Sequence, residues 1–287
     1  DSIALSRAID SLFNDKSAYS SVRCIEEMCS NEPYARLELG NKDEISSITP
    51  QILTQFYRES LLQAKVRVII SGDIKPEEAR SICEEAFAGI ELHTQPSSTT
   101  QVDVPVSQVR IKHEEQEINQ GKLVLGYRTY TDCADEDYPA LVMYNGILGA
   151  FPHSKLFMNV REKASLAYYC SSSLQPVKGL MLIRSGISLD KYGQALEIIA
   201  DQLQDIAQGS ISKDEFANTK LALINELQED EDRPARLGRS HIERLVAGAA
   251  YSNHDLKESL AQVTREDVIR MAEKVQLDTI YFLHGKE

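Results

Sequence analysis

Val263-Thr264, a run of helical period, the strand-like Thr279-Ile280-Tyr281-Phe282-Leu283 and then Gly285 repeat an order met earlier in the same chain. There Ile48-Thr49 is followed by a helix, the β-branched run Val66-Arg67-Val68-Ile69-Ile70 and Gly72. Each copy opens on a threonine able to cap a helix, and Pro50 takes the first helical position of the earlier one. The Thr-to-Gly spacings are 23 and 21 residues, and Pro33-Tyr34 before the first copy has a loose counterpart in Ala250-Tyr251 before the second. The same order used twice predicts two homologous α+β domains, each an antiparallel sheet packed with helices.

The text between the copies changes character from Glu91 onward, where His93-Thr-Gln-Pro-Ser-Ser-Thr-Thr-Gln-Val-Asp-Val-Pro105 is polar, proline-bearing and without helical period. That composition is a linker's, so we divide the chain into 1–90, the C-terminal part of a first domain, 91–105, a linker, and 106–287, a second domain. The second unit has 158 residues before its Thr264 and the first only 48 before Thr49. The first domain is therefore expected to lack roughly 110 residues at its front, the difference between the two. The opening Asp1-Ser-Ile-Ala-Leu-Ser-Arg7, with no initiator Met and no basic or apolar leader, reads as the middle of something longer.

Within the second domain, Val109 to Tyr130 carries two strand-like stretches. Tyr138–Leu148 and Lys155–Lys163 read as helices, and Ala167–Ser173 and Leu180–Ser188 as strands. Tyr192, Leu196, Ile199, Leu203 and Ile206 step by four and three to Gly209, a helix with its stop signal. Ser212 and Glu215 form a capping-box pattern with Ile211 and Phe216 as its hydrophobic staple.

Composition excludes several functions. With 31 basic and 44 acidic side chains the net charge is −13, which repels a phosphate backbone, so nucleic acid is not expected as a partner. A hydrophobic content of 42% and a charged content of 26% suit a folded globular chain. No apolar run approaches the roughly 18 residues needed to span a bilayer, so no membrane partner is expected. The five cysteines are odd in number, scattered and never spaced C-x-x-C, a usage that points to a reducing, cytoplasmic location.

Motifs for self-contained chemistry are missing. No two of His93, His113, His153, His241, His254 and His284 stand three to five residues apart on one helix, as a zinc pair requires. His241-Ile-Glu-Arg-Leu comes nearest to a zinc motif and has no second histidine. There is no Gly-x-Ser-x-Gly, no cysteine in a recognisable nucleophile context, and no phosphate loop, Gly146-Ile-Leu-Gly149 having too few glycines and no Gly-Lys. The acidic run Glu226 to Asp232 reads as a solvated helix face.

One segment carries chemistry. Gly146-Ile-Leu-Gly-Ala-Phe-Pro-His-Ser154-Lys-Leu156-Phe157-Met-Asn-Val160-Arg161-Glu162-Lys163-Ala-Ser-Leu166-Ala167-Tyr168-Tyr169 resembles the second-half signature of the pitrilysin/insulinase zinc metallopeptidases. In them a glycine-rich bend, Ser-x-Leu-Phe and Arg-Glu-Lys-x-x-Leu-Ala-Tyr recur in this order. Pro33-Tyr34, Gly40, Ile45, Ile48-Thr49, Phe56-Tyr57 and Gly72-Asp73 look like the end of that family's first domain, so the resemblance covers the whole chain. It implies two homologous domains enclosing a peptide chamber like a clamshell. Zinc is then held in the first domain by His-x-x-Glu-His and a distant Glu, while the second supplies an Arg and a Tyr at the spacing of Arg161 and Tyr168. A peptide carbonyl attacked by zinc-bound hydroxide develops negative charge, and a guanidinium and a phenol O–H are donors that can stabilise it or grip the adjoining peptide. The plainer alternative makes Arg161 a helix-end ion-pair residue and Tyr168 a half-buried strand residue. Tyr169 alternates to the other face of the strand and is expected to pack.

The chain departs from the family where the zinc belongs. The inverted motif is absent, and the place of the third ligand, near Ala4 to Ala8, has no carboxylate; a slip of a few residues admits only Asp1 or Asp10. No zinc or other cofactor is therefore expected in this chain, zinc belonging to an active partner or to a missing N-terminal part, and the chain alone is expected to be inactive. The resulting expectation is a zinc-less, Arg/Tyr-contributing subunit of a processing-protease-like zinc endopeptidase. Its partners would be a peptide substrate and a homologous zinc-bearing subunit or a second copy. The alternatives are a fragment of a self-sufficient zinc endopeptidase with its ligands upstream, and a peptide-binding scaffold without turnover, against which the intact Arg161 and Tyr168 weigh.

Overall fold

Strand β2 (Gly121–Arg128) carries Leu123, Leu125 and Tyr127 on one face and Val124 and Gly126 on the other, all five of them buried. A strand of that kind needs cover on each side of its sheet. The computed structural model describes residues 2–64, 66–89 and 100–286, and in it two different parts of the chain supply that cover. One five-stranded sheet runs in the order β1 (Arg110–Glu115), β5 (Gln276–His284), β2, β4 (Leu180–Ile187), β3 (Ala167–Gln175). Its pairings are antiparallel except β1 with β5, which run parallel.

The first face carries Leu123, Leu125, Tyr127, Ile183, Cys170 and Phe282 into the main core. Helices α5 (Tyr138–Asn145), α6 (Tyr192–Ala207), α7 (Lys213–Glu231), α9 (Asn253–Gln262) and α10 (Arg265–Lys274) supply much of the rest, and α8 (Pro234–Ala247) packs beside α7. Ser212 and Glu215 close the capping box at α7. Ser252 with Asp255 and Thr264 with Asp267 form two more, at α9 and α10, each worth about 1 kcal/mol to its helix.

The second face carries Val124, Leu182, Tyr281 and Leu283 against Tyr19 and Cys24 of α2 (Lys16–Met28), and Leu180 against Met28 and Cys29. Gly126 permits this approach, since a Cβ there would lie 2.8 Å from Met28 Sδ. Asp15 starts α2 by accepting from the N–H groups of Ser17 and Ala18 at 2.9 and 3.1 Å, and α1 (Ser2–Asn14) packs alongside α2.

Charges fasten α2 to the sheet at its C-terminal end. Arg128, 1% exposed, donates to Asp278 Oδ2 at 3.0 Å, to Glu32 Oε1 at 2.6 Å and to the Met28 carbonyl at 2.9 Å. Lys178, at the β3–β4 turn, donates to Glu32 and to the carbonyl of Gln101, and Arg110 reaches Asp278 Oδ1 at 2.7 Å. The cluster joins the C-terminal end of α2, Gln101, three strands and a turn.

The first ninety residues differ from the sequence expectation. Thr49 caps α3 (Pro50–Gln63) as expected, accepting from the Ile52 N–H, and α4 (Pro76–Ala86) starts at Pro76. The β-branched run 66–70, however, is not a strand: it is unpaired backbone, with Val68, Ile69 and Ile70 52%, 38% and 48% exposed. Strand propensity is realised only against neighbouring strands, and among the described residues none lies before Arg110. Of the linker, 91–99 lie outside the described residues and 100–105 have no regular structure.

Two expected helices are wider than an α-helix. After Asn145 the chain continues as a π-helix over Gly146–Ala150, and a second π-helix spans Phe157–Lys163. A Cβ on Gly149 would meet the backbone nitrogen of Ser172 at 2.6 Å, so the first π turn rests directly on β3. Gly149→Ala should lower stability by about 1–3 kcal/mol, as overpacking against backbone does, measured by denaturant unfolding. A loss within about 0.5 kcal/mol would show that the turn yields freely.

Candidate functional site

Arg161 lies in the second π-helix and Tyr168 at the start of β3, and both line one open depression at the end of the sheet, with Gln120, Ser165 and Gly186 among its other walls. The Arg161 guanidinium lies 4.5 Å from the ring centre of Phe157, four residues back on the π-helix. Its nearest carboxylate is that of its neighbour Glu162, 3.5 Å from Nε, longer than the 2.7–2.9 Å of a strong charge-assisted bond. Tyr168 is 77% exposed. Neither side chain has the burial of a core residue.

The link between them is strained. Ser165 has φ of +50°, a left-handed conformation that costs a non-glycine residue about 1–2 kcal/mol. The next residue, Leu166, donates its N–H to the Val160 carbonyl at 3.2 Å and so closes the π-helix. The strand then starts with an irregularity: Ala167 pairs with Ile187 and Tyr169 with Gly186, which leaves Tyr168 as the extra residue of a bulge. A bulge turns its extra side chain out of the ladder, and Tyr168 projects to solvent while Ala167 stays in the main core. Strict alternation resumes at Tyr169, whose hydroxyl is 2.7 Å from Ser17 Oγ at the start of α2. Burial raises the Tyr169 phenol above its ordinary pKa, with the Ser17 hydrogen bond opposing. Tyr169 packs, as expected of it.

Sequence reasoning missed Gln120 and Lys122. Both sit at the start of β2, and Lys122 donates to Gln120 Oε1 at 2.7 Å. Nothing in the local text marks them, since their place beside Tyr169 and Gly186 is set by strand pairing.

Other chemistry has little footing. Among the described residues no group of three or more His, Cys, Asp and Glu is placed to hold a metal ion. Asp10 pairs with Lys42 Nζ at 2.7 Å through Oδ2, while Asp1 and His93 lie outside the described residues. His153 stacks on Phe151 and bonds to Thr219, and His113 lies edge-on to Tyr192 and Phe282. Burial pushes the Cys29 and Cys133 thiols up to about 11 and Cys170 to about 12, the reverse of a nucleophile's environment. No helix among the described residues is long and apolar enough to cross a membrane.

Known proteins resemble this chain in sequence and in fold. The chain is 37% identical over 283 residues to the probable inactive metalloprotease YmfF of Bacillus subtilis, an alignment covering 99% of this chain and 66% of YmfF. It is 23% identical to the uncharacterized zinc protease YmxG of the same organism over 83% of this chain and 58% of that protein. The chain thus spans somewhat under two thirds of the length of these curated relatives. A conserved protein from Enterococcus faecalis has the same fold at a TM-score of 0.87 and 28% identity, over 99% of this chain and 67% of that one. A peptidase M16 inactive domain from Pseudomonas fluorescens superposes at 0.76 with 19% identity, over 100% of this chain and 70% of that one. The family profile described as the peptidase M16 inactive domain matches residues 47–223, more than half of the sequence, and the chain belongs to that family of zinc-peptidase relatives.

Proposed function

We propose that this chain is the zinc-less, Arg/Tyr-contributing part of an M16-type endopeptidase, completing the peptide chamber of a homologous zinc-bearing partner. The observation that carries the reading is the shared setting of Arg161 and Tyr168. An ion-pair residue at a helix end and a half-buried strand residue would be neutralised and packed. Here one guanidinium and one phenol instead stand with their donors open to a single depression, joined by a strained residue and a bulge. Strain of that kind persists where the surrounding structure holds a site in place.

Residues 1–90 are then the C-terminal part of a first peptidase-like domain and 106–287 the second. In support, Ile52, Leu53, Phe56 and Tyr57 on α3 are 56–65% exposed, an apolar face of the kind that marks an interaction surface. Its counterpart α10 buries Val268 and Met271 under neighbouring helices. Five free thiols, four of them buried, suit a cytoplasmic setting.

The test is made in the active complex with the zinc-bearing partner. Arg161→Ala or Tyr168→Phe should lower kcat and kcat/KM together by about 10²-fold, the scale of a lost oxyanion donor, with little change in melting temperature. A rise in KM at constant kcat would mean that the pair grips peptide without acting on the transition state. Arg161→Lys should not rescue, because an ammonium lacks the planar fork, and Tyr169→Phe should be near neutral for kcat. Unfolding by Arg161→Ala would return that residue to a structural role.

A further inference from the structure

Lys122 is half-buried, yet no carboxylate forms an ion pair with it among the described residues. Its ammonium donates to Gln120 Oε1 at 2.7 Å and lies 5.6 Å from the ring centre of Tyr169. Asp15, the acid that acts on it at longer range, is occupied in capping α2. An ammonium offers no acceptor, so the Lys122 bond fixes the Gln120 side chain: carbonyl oxygen toward the lysine, NH₂ away from it. That NH₂ has no hydrogen-bond partner among the described residues, and Gln120 lines the same depression as Arg161 and Tyr168.

The arrangement has a built floor. Gly186 pairs with Lys122 on one side and Tyr169 on the other. A Cβ at 186 would lie 2.6 Å from Tyr169 Cε1 and 3.0 Å from Gln120 Oε1. Glycine is what lets the ring and the amide converge, and the ring is anchored in turn through Ser17. Across the depression the terminal nitrogens of Arg161 have no hydrogen-bond acceptor among the described residues, its contacts being Nε to Glu162 and the guanidinium over the Phe157 ring. The depression is lined by one cation, Arg161, and one carboxylate, Glu162, with Lys122 behind Gln120 and Asp15 acting on Lys122 at longer range.

We propose that the depression is a carboxylate subsite. Arg161 and the oriented Gln120 amide donate to a carboxylate carried by a bound peptide, either the side chain of Asp or Glu or the free C-terminus. Lys122 is a positioning residue that holds the amide outward and adds positive potential. The inference rests on the peptide-binding reading above and specifies what that site selects.

The chain contains no tryptophan, so an unstructured peptide with a single Trp can be followed by the anisotropy of its own emission. Three forms of one peptide are titrated into the purified chain: neutral with an amidated C-terminus, the same with one internal Asp, and neutral with a free C-terminus. At least one carboxylate form should bind about tenfold or more tightly than the neutral amide, the scale of hydrogen bonds to a charged group, and the form that does identifies the source. Arg161→Gln should erase that preference, Gln120→Leu should reduce it, and Glu162→Gln should widen it. Equal binding of all three forms overturns the carboxylate subsite and leaves peptide binding standing. Failure of every form to bind overturns both.

Discussion

Residues 106–287 produced alone, by cutting the chain at its linker, should fail to fold to a stable sheet. Without α2 the second face of the sheet loses its cover, and Val124, Leu180, Leu182, Tyr281 and Leu283 meet water. At about 2 kcal/mol for each side chain the loss is about 10 kcal/mol, as large as the whole stability of an ordinary domain. The charges compound it, for Glu32 leaves with the deleted segment and Arg128 and Lys178 lose their shared acceptor. The expected result is aggregation, or a circular dichroism signal without a cooperative unfolding transition. Supplying residues 15–35 as a separate peptide should restore the transition, because that segment carries both the apolar cover and Glu32. A cooperative transition of 106–287 at the midpoint of the whole chain would show that α2 is a passenger.

The linker is nevertheless where the text changes character, and α2, which precedes it, covers a sheet that follows it. Composition reports on local chain behaviour, whereas the contact of α2 with the sheet joins residues far apart in sequence. Glu32 and Arg128 are 96 positions apart, and nothing near either one announces the other. What was legible depended on short-range rules. The Thr49 cap, the Ser212–Glu215 box, helix α6 and strands β3, β4 and β5 all follow from spacings of two to four residues. The 66–70 run carried the same local signal as β5 and did not become a strand, because the signal states a preference that only a neighbouring strand can realise. The π-helices escaped for a related reason. Their apolar spacing scarcely differs from that of an α-helix over one or two turns, and their width is settled by contacts such as Gly149 on Ser172. Arg161 and Tyr168 were found because they sit in one continuous motif. The bulge that turns Tyr168 outward and the Lys122–Gln120 pair are products of strand register, which a single sequence does not spell out.

Asp278→Ala should be among the most damaging single substitutions in the chain, costing about 3–5 kcal/mol by denaturant unfolding. Asp278 is 2% exposed and accepts from both Arg128 and Arg110. Its removal leaves the Arg128 guanidinium, 1% exposed and already with one nitrogen, Nη1, lacking a partner, with Glu32 as its one remaining carboxylate among the described residues. The cost is that of a buried guanidinium whose Nε loses its acceptor, which sets the control: Arg110→Ala breaks an ion pair to the same carboxylate, but the Arg110 side chain is 39% exposed and should cost about 1 kcal/mol or less. Equal losses at the two arginine-bearing contacts would mean that burial is not what matters here. The other acid of the cluster adds a pH dependence. Burial works to raise the Glu32 carboxyl pKa, but hydrogen bonds from Arg128 and Lys178 outweigh it and hold the group below its ordinary value. A carboxyl depressed in the folded state contributes stability that is fully present above its unfolded pKa, about 4.3 for Glu, and is lost as pH falls through the folded one. Stability should therefore decline with acid below about pH 4, and Glu32→Gln should flatten that decline while lowering stability at neutral pH. An acid limb unchanged in the Gln variant would place the titrating group elsewhere.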